Sequence, residues 1–353
     1  MTTVPDAPGR TRREPTMRDV AALAGVSLKT VSRVVNAEPG VRPERQGRVL
    51  DAVRTLDYRH NANASSLRRA DRKTATIGLL LENAANPFSA ALFRAIEDAA
   101  RRRDVLVFAG SSEEDDARER AILLALASRR VDGLIMVPVS SGHDRTRHVQ
   151  RLDRPIVLVD RLAGDLDVDS VTVDNRGGAS QAVRHLVAHG HRRIAFLGDL
   201  HSIWTASERY LGYVAGIAAG GLPLDPALVR QDLRAPEAAE RVTHELLTGP
   251  DPPTALFTAQ NLITIGVLRA LQRASAQGRI ALVGFDDVPL ADLLDPPVSV
   301  VAQDPVELGH RAADLLFARL DGDTAPPRHI VLPTRLIPRG SGELPPYGGV
   351  PQG

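Results

Sequence analysis

Polar residues suited to binding small polyhydroxylated molecules recur at the ends of short apolar runs. Asp160 and Arg161 follow the run PIVLV, and Asp286 follows IALVGF. Because carboxylates accept hydrogen bonds from paired hydroxyls and guanidinium groups donate in a fork, this combination is typical of a polyol site. The candidates are Asn86, Phe88, Asp160, Arg161, Arg209, Gln260, Asp286 and Gln303. Taken singly, each of these residues also fits a surface loop or a helix cap. Taken together, the two Asp and two Arg residues balance in charge, which favours a neutral sugar over a phosphosugar as the ligand.

A second set of polar residues lies on one face of a short helical pattern that follows Ser27. Val31, Val34 and Val35 form an apolar stripe. The opposite face carries Lys29, Ser32, Arg33 and Asn36. Arginine and lysine donate to O6 and N7 of guanine, and small polar side chains hold phosphates, so this face has the chemistry of a major-groove reader. A small amphipathic helical pair without a DNA role has the same pattern.

Motifs for catalysis and for metal binding are absent from the sequence. It contains no Walker loop, no glycine fingerprint after the first apolar run, no G-x-S-x-G elbow and no H-E-x-x-H. His185, His189 and His191 could supply metal ligands, but no cysteine and no obvious carboxylate accompanies them, and Gly190 is typical of a helix end. We therefore expect no catalytic residues, no metal and no cofactor.

The candidate DNA-reading face has to be positioned by a small helical domain. The stretch MRDVAALAGVSLKTVSRVVN contains two helical patterns that are separated at Gly25, with Ser27 as the N-cap of the second. A third helix should begin near Pro43, because proline fits the first helical turn. The residues spaced to close its core over the first two helices are Val49, Ala52, Val53 and Leu56. The sequence therefore predicts a helix-turn-helix domain.

Short apolar runs alternate with amphipathic segments from residue 77 onward. The runs are IGLLL, VLVFA, GLIMVP, PIVLVD, IAFLG, TALFTA and IALVGF. Aliphatic strands separated by helices indicate βαβ units and parallel sheets covered on both faces. Because the span to about residue 339 is too long for one ordinary sheet, we predict an α/β domain with two similar, Rossmann-like lobes. In such sheets ligands bind outside the carboxyl ends of the strands, where the polyol candidates lie.

The predicted domain organisation follows from these patterns. Disordered segments are expected at residues 1–15 and, from their Gly and Pro content, 340–353. The helix-turn-helix domain is predicted at 16–60, a polar and basic linker at 61–76, and the two-lobed ligand-binding and dimerisation domain at 77–339. Within it, the first lobe takes 77–175 and 304–328, and the second takes 176–303 and 329–339.

Charge is distributed unevenly along the chain. The first 76 residues carry fifteen Arg or Lys and eight Asp or Glu, whereas the remainder carries 29 basic and 35 acidic residues. This is the pattern expected when a polyanion-binding module is joined to an acidic one. The chain has no cysteine, no N-terminal apolar signal segment and no apolar run of roughly 18 residues, so we expect a cytosolic protein.

The motifs together resemble the lactose-repressor (LacI) family of bacterial transcriptional regulators, over about residues 17–339. DVAALAGVSLKTVSRVVN is similar to the DNA-binding signature of that family. IGLLLENAANPF, VDNRGGASQAVRHLVAHGHRRIAFLGD, SERYLGY and LVGFDD follow in the expected order. Because HLVAHGH belongs to the family pattern, the resemblance implies that its histidines are structural.

The resemblance also implies roles for individual residues in DNA binding. Leu28, Lys29 and Arg33 would read base edges, Leu28 by apolar contact. The positions nearer the DNA backbone would be Ser27, Thr30, Ser32 and Asn36. The segment from Asn61 to Arg68 would be a hinge that becomes helical when two subunits bind operator, with Leu67 wedged into the minor groove. The chain departs from the family at His60, where Pro is usual, and at Ser65, where a basic residue is often found.

The ligand-binding domain of this family resembles periplasmic sugar-binding proteins of the ribose type. The candidate residues at the ends of the apolar runs are similar to those of a pentose-type pocket. Ser89 stands where a second aromatic residue is common and Gln260 where Asn is common, so the implied site includes both. Trp204 lies shortly before Arg209 and could either stack on a ligand or pack in the fold.

These features predict an allosteric, homodimeric repressor that binds a pseudopalindromic double-stranded operator under the control of a neutral sugar. A sugar sensor without a DNA function is the alternative, and an α/β enzyme is a third. The basic N-terminal region disfavours the sensor, and the missing catalytic set disfavours the enzyme.

Overall fold

The structure is a computed structural model that describes residues 15–36, 38–58, 74–139, 153–163 and 166–347. The chain divides into two compact units, Met1–Thr74 and Ala75–Gly353. Within the described ranges, no helix is both long and apolar enough to cross a membrane.

Capping side chains set the ends of the first two helices. Helix α1 (Met17–Ala24) begins at Thr16, whose Oγ1 accepts the Asp19 amide at 3.4 Å while its own amide donates to the Asp19 carboxylate at 2.7 Å. Gly25 ends α1 at a φ of 61°, a left-handed conformation in which glycine has no steric penalty. Helix α2 (Leu28–Val35) follows after this turn.

A small apolar core joins these helices to α3 (Pro43–Leu56). Val20 of α1, Val31 of α2 and Val49 of α3 are each fully buried in it. Burial of such side chains is worth about 1.5–3 kcal/mol each, which holds together helices too short to be stable alone. The predicted helix-turn-helix and the predicted start of the third helix at Pro43 are confirmed.

Two six-stranded sheets with the same strand order form the second unit. The first sheet has the order β11-β5-β4-β3-β1-β2, and the second has the order β12-β10-β9-β8-β6-β7. The first-lobe strands are β1 (Thr76–Leu81), β2 (Leu106–Ser111), β3 (Gly133–Met136), β4 (Ile156–Val159), β5 (Asp169–Val173) and β11 (His329–Leu332). The second-lobe strands are β6 (Ile194–Leu197), β7 (Val229–Arg230), β8 (Ala255–Thr258), β9 (Ala281–Phe285), β10 (Ser299–Ala302) and β12 (Arg335–Ile337). The predicted two-lobed α/β fold is confirmed.

Helices cover the faces of both sheets. The first lobe uses α4 (Pro87–Arg101), α5 (Asp116–Ser128) and α10 (Pro305–Leu320). The second lobe uses α6 (Asn175–Ala188), α7 (Trp204–Ala219), α8 (Pro236–Thr248) and α9 (Asn261–Arg273). Their aliphatic faces bury the continuous apolar strands, as parallel sheets require.

Three chain segments pass between the lobes. They lie after β5, between β10 and α10, and between β11 and β12. The first and third are close together, because Thr334 Oγ1 donates to the Asp174 carbonyl at 3.4 Å. Each lobe is therefore built from non-contiguous parts of the chain.

The structure corrects two predicted boundaries. Strand β11 pairs in parallel with β5, so residues 329–332 belong to the first lobe and not to the second. Residues 340–347 are packed rather than disordered: Ser341 is buried, and its Oγ donates to the Leu282 carbonyl at 2.6 Å. Tertiary contacts of this kind order a Gly- and Pro-containing segment whose composition alone predicts disorder. The rest of the predicted tail, most of the N-terminal arm and most of the linker lie outside the described residues.

Candidate ligand cavity and nucleic-acid interface

A cavity between the two lobes, here called the interlobe cavity, is lined by all nine side chains of the predicted ligand site. They are Asn86, Phe88, Ser89, Asp160, Arg161, Arg209, Gln260, Asp286 and Gln303. In the sequence these residues are recognisable only as positions after strands and at helix starts. The fold brings them together because the carboxyl ends of both sheets face the same cleft. Trp204 is not among the lining residues.

Asp160 and Asp286 occupy equivalent places in the two lobes. Asp160 directly follows β4 and Asp286 directly follows β9, and these strands are third in the spatial order of their sheets. Both residues have a left-handed φ, 69° for Asp160 and 71° for Asp286. Each amide donates at 2.9 Å to a neighbouring strand, Asp160 to Val171 and Asp286 to Val301. Such a conformation costs about 1–3 kcal/mol in a non-glycine residue and is concentrated at functional sites. The backbone thus turns both carboxylates into the cavity at an energetic cost.

Arg209 is held in one position by contacts on every side. Its Nε donates to Asn175 Oδ1 at 2.8 Å, and its Nη1 donates to the Ala259 carbonyl at 2.7 Å. Asp286 lies 3.5 Å away, and the guanidinium group stacks 3.8 Å from the centroid of the Phe285 ring. Because these contacts leave little rotational freedom, the guanidinium group is held in one orientation at the cavity wall.

Arg161 is buried between two carboxylates. It forms an ion pair with Glu114 and approaches Asp160 at 3.4 Å. Burial raises the pKa of Asp160, although Arg161 and Arg209 act in the opposite direction. Burial lowers the pKa of Arg161, but Glu114 and Asp160 outweigh it, so the net change is upward and the guanidinium group stays charged.

The amide side chains in the cavity also have local roles. Asn86 caps α4 by accepting the Phe88 amide at 3.0 Å, and the same oxygen accepts Asn261 Nδ2 from the opposite lobe at 2.8 Å. Gln260 caps α9 by accepting the Leu262 amide at 2.9 Å. These helix caps therefore combine a structural function with a position in the cavity, and the Asn86 contact joins the lobes.

Sequence reasoning missed two acidic residues that line the cavity. Glu82 comes directly after β1, and Asp199 comes two residues after β6, so the strand-end rule could have found both. Glu114 adds a third carboxylate behind Arg161. Burial raises the pKa of Glu82 to about 7; Arg161 and Arg234 oppose this rise, whereas Glu114 and Asp199 add to it. The predicted charge balance of two Asp against two Arg is therefore wrong, because the cavity has an excess of carboxylates.

The second candidate surface is the outer face of α2. Ser27, Leu28 and Lys29 are exposed at its start, and Leu28, at 42% exposed, presents an apolar surface that is accessible to a partner. The remaining predicted contact residues are partly exposed: Thr30, Ser32, Arg33 and Asn36. Arg33 approaches Glu38 at 3.9 Å, a surface contact that costs little to break. Asn61 and Leu67 lie outside the described residues.

Two of the three histidines of HLVAHGH, His185 and His191, anchor the C-terminal segment. His185 contacts Glu343, and His191, which is fully buried, lies 3.0 Å from Thr254 Oγ1 and 2.8 Å from the Leu344 carbonyl. His189 lies 2.9 Å from the His185 carbonyl. No grouping of His, Cys, Asp or Glu suited to a metal ion occurs among the described residues. These contacts support the structural interpretation of the histidines.

Comparison with known proteins gives matches to both units of the chain. The family model described as "Bacterial regulatory proteins, lacI family" matches residues 16–61, and that of a "Periplasmic binding protein-like domain" matches residues 183–342. The ribose operon repressor of Escherichia coli (strain K12) is 33% identical over 330 residues, which cover 92% of this chain and 99% of the relative. Catabolite control protein A of Priestia megaterium is 32% identical over 328 residues, covering 91% and 97%.

Solved structures share the same architecture. The lac repressor dimer bound to operator and the anti-inducer ONPF has a TM-score of 0.81 at 25% identity, covering 94% of this chain and 99% of that one. The complex of the transcriptional regulator CelR with cellobiose has a TM-score of 0.70 at 30% identity, covering 93% and 99%. From these matches and from its helix-turn-helix, the chain belongs to the lacI family of bacterial regulatory proteins and is a DNA-binding transcriptional regulator.

Proposed function

We propose that this protein is a repressor whose operator affinity is controlled by a small polyhydroxylated effector in the interlobe cavity. The observation that carries this proposal is the convergence of donors and acceptors from both lobes on one cavity, with Asn86 and Asn261 joined across it. A ligand that contacts both lobes changes the free energy of their closure. Operator binding and effector binding are then linked, and each must change the affinity for the other by the same factor.

In this proposal α2 reads the operator. Lys29 and Arg33 donate to guanine edges, and Leu28 contacts a thymine methyl group. Ser27, Thr30, Ser32 and Asn36 hold the phosphate backbone and fix the register. The partly exposed Arg33 and the exposed Leu28 are free to make these contacts. Asn61 and Leu67 are assigned to the minor groove through the family resemblance alone. Because its proposed target is the chromosome, we infer that the protein acts in the cytoplasm.

We further infer that the protein acts as a homodimer on a pseudopalindromic site. Strand β2 is an edge strand of the first sheet, and it exposes Leu106 at 67% and Phe108 at 41%. Exposed apolar side chains on an unpaired edge are costly in a monomer and are commonly covered by a partner. The lac repressor structure with operator is a dimer, which supports the same assembly for this chain.

The test begins with selection of a binding sequence from a random double-stranded DNA library with the purified protein. We expect a palindromic consensus, whose binding is weakened or strengthened at least tenfold by one compound in a panel of sugars and sugar derivatives. The Asp286→Ala variant should bind the same DNA and lose this response. Failure to select any sequence would contradict the DNA-reading role, and a variant that still responds would remove Asp286 from the site.

A further inference from the structure

The charges around the interlobe cavity do not balance. Two guanidinium groups line it, those of Arg161 and Arg209, and a third, that of Arg234, lies beside it at 3.7 Å from Glu82. The carboxylates are more numerous: Glu82, Glu114, Asp160, Asp199 and Asp286. If all were ionised, the cavity would carry an excess of two negative charges, which is expensive in a partly buried site.

The arginines are already neutralised by neighbouring carboxylates. Arg161 pairs with Glu114 and Asp160, and Arg209 pairs with Asp286. Glu114 has an additional buried oxygen, Oε2, that no donor contacts. Asp199 accepts only neutral donors, the Leu200 amide at 2.7 Å and Gln260 Nε2 at 3.4 Å, and no ion pair involves it in the described part of the chain. Arg161 and Arg234 attract both Glu82 and Asp199. Because Arg161 already pairs with Glu114 and Asp160, these two carboxylates share Arg234, and the excess negative charge lies at their end of the cavity.

These two acidic residues come from opposite lobes. Glu82 follows β1 in the first sheet, and Asp199 follows β6 in the second. Like charges across a cleft oppose its closure, whereas a cation between them favours closure. A metal ion does not fit, because no ligand grouping for one occurs among the described residues. An ammonium group does fit, since it donates three hydrogen bonds and needs no fixed coordination geometry.

We propose that the effector is a polyhydroxylated ammonium compound of the amino-sugar class, with its cationic nitrogen at the Glu82 and Asp199 end of the interlobe cavity. This inference rests on the proposed function, because it deepens the assignment of that cavity as the effector site. The hydroxyl groups are held by Arg209, Asp160, Asp286 and Gln303. The excess of carboxylates selects a ligand with a positive charge. Binding of the cation draws the two lobes together.

The proposal also determines the pH dependence of binding. Glu82 faces Arg161, Arg234, Glu114 and Asp199, and its pKa of about 7 means that it is largely protonated in mild acid. Because an ammonium ligand interacts with the carboxylate form, its affinity should rise about tenfold from pH 5.5 to pH 7, where amino sugars themselves remain charged. The Glu82→Gln variant should lose this dependence.

The test compares matched pairs of probes by calorimetry at pH 7. The pairs are glucosamine with glucose, galactosamine with galactose, and mannosamine with mannose; the N-acetylated sugars serve as uncharged controls. We expect at least one amino sugar to bind ten times more tightly than its parent and its N-acetyl derivative. Glu82→Gln and Asp199→Asn should each reduce that preference about tenfold while keeping the melting temperature near that of the parent protein. Glu245→Gln, on the exposed face of α8, is the matched control and should change nothing.

The outcomes separate this inference from the proposed function. If no amino sugar binds more tightly than its neutral parent, or if none binds at all, the cationic effector is refuted. A neutral sugar that alters operator binding would refute it as well, yet would leave the repressor function intact. Conversely, an amino-sugar preference in a protein that selects no DNA sequence would uphold the ligand class and refute the repressor.

Discussion

At the scale of single residues, Arg209 combines structural contacts with a position in the wall of the interlobe cavity. It is 4% exposed, donates hydrogen bonds to Asn175 and Ala259, and forms an ion pair with Asp286 at 3.5 Å. Replacement of arginine by lysine keeps the charge but loses the planar fork. We predict that Arg209→Lys lowers the free energy of unfolding by about 1–3 kcal/mol, since buried acceptors lose their donors. Urea denaturation measures this change, and the response of operator binding to the effector should disappear.

The matched control for this prediction is Arg269→Lys. Arg269 forms a surface pair with Glu237 at 3.1 Å, and both side chains are largely exposed. Such a pair is worth about 0–1 kcal/mol, so the control should unfold almost like the parent. Equal stability of the two variants would contradict the anchoring role of Arg209.

Arg33 offers a test at the DNA-reading surface. We predict that Arg33→Ala relaxes sequence preference by about 1–3 kcal/mol at one base pair of each half-site, because a donor to a base edge is lost. Competition binding to operators mutated one position at a time measures this. A uniform loss of affinity for all sequences would instead indicate a phosphate contact and overturn the assigned role.

At the scale of elements, His191 fastens the C-terminal segment to the second lobe. Burial lowers its pKa, and its contact with the Leu344 carbonyl requires a proton on Nε2. The remaining nitrogen, Nδ1, then accepts from Thr254 Oγ1 in the neutral ring. Because the unfolded chain binds a proton more readily than the folded one, stability is complete above the ordinary pKa of about 6.5 and falls as the pH drops through it.

This linkage predicts a specific change in the pH profile. In His191→Gln, the decline in the free energy of unfolding between pH 7 and pH 5.5 should be smaller than in the parent, although the variant is less stable at pH 7. Denaturant titrations at several pH values test this. His201→Gln is the control, because this side chain is 75% exposed and should leave the slope unchanged. An unaltered slope in His191→Gln would contradict the proposed linkage.

Strand β2 carries a prediction about assembly. Phe108→Glu places a charge on the exposed apolar edge and should convert the proposed dimer to monomers at micromolar concentration, as measured by analytical ultracentrifugation. Operator affinity should fall with it, because two half-sites are then no longer bound together. Leu224→Glu is the control, since Leu224 is similarly exposed at 41% away from this edge. A Phe108→Glu variant that remains dimeric would exclude this strand from the interface.

The sequence predicted these elements unevenly, for physical reasons. Asp160 and Asp286 could be located because ligands bind outside the carboxyl ends of parallel strands, and these ends lie together regardless of the conformation of the loops. Arg234 and Glu114 could not be found in this way, since each lies in a loop whose place depends on tertiary packing. Strand β11 was assigned to the wrong lobe for a related reason. Its alternation of exposed and partly buried residues marks an edge strand but does not specify the sheet that it joins.

At the scale of the whole ligand-binding unit, the charge distribution changes what the sequence suggested. The residues visible as a polyol site favoured a neutral sugar, whereas Glu82 and Asp199 add negative charge from both lobes. Asn86 contacts Asn261 and Glu82 contacts Arg234 across the two lobes. Asn86 and Glu82 also line the cavity, so the same side chains contact the opposite lobe and face the proposed ligand. An effector that alters these contacts acts directly on the relative free energies of the open and closed forms.

The three segments that pass between the lobes constrain how that closure can proceed. We expect three connections to restrict twisting and sliding of one lobe against the other and to favour a hinge rotation. The first and third connections are linked by the hydrogen bond between Thr334 and Asp174, and the second contains Gln303 at the cavity wall. Because the connections restrict the other motions, a molecule bound in the cavity should act mainly on the hinge rotation of the lobes. A ligand that contacts only the cavity-lining side chains would then change the orientation of one whole lobe relative to the other.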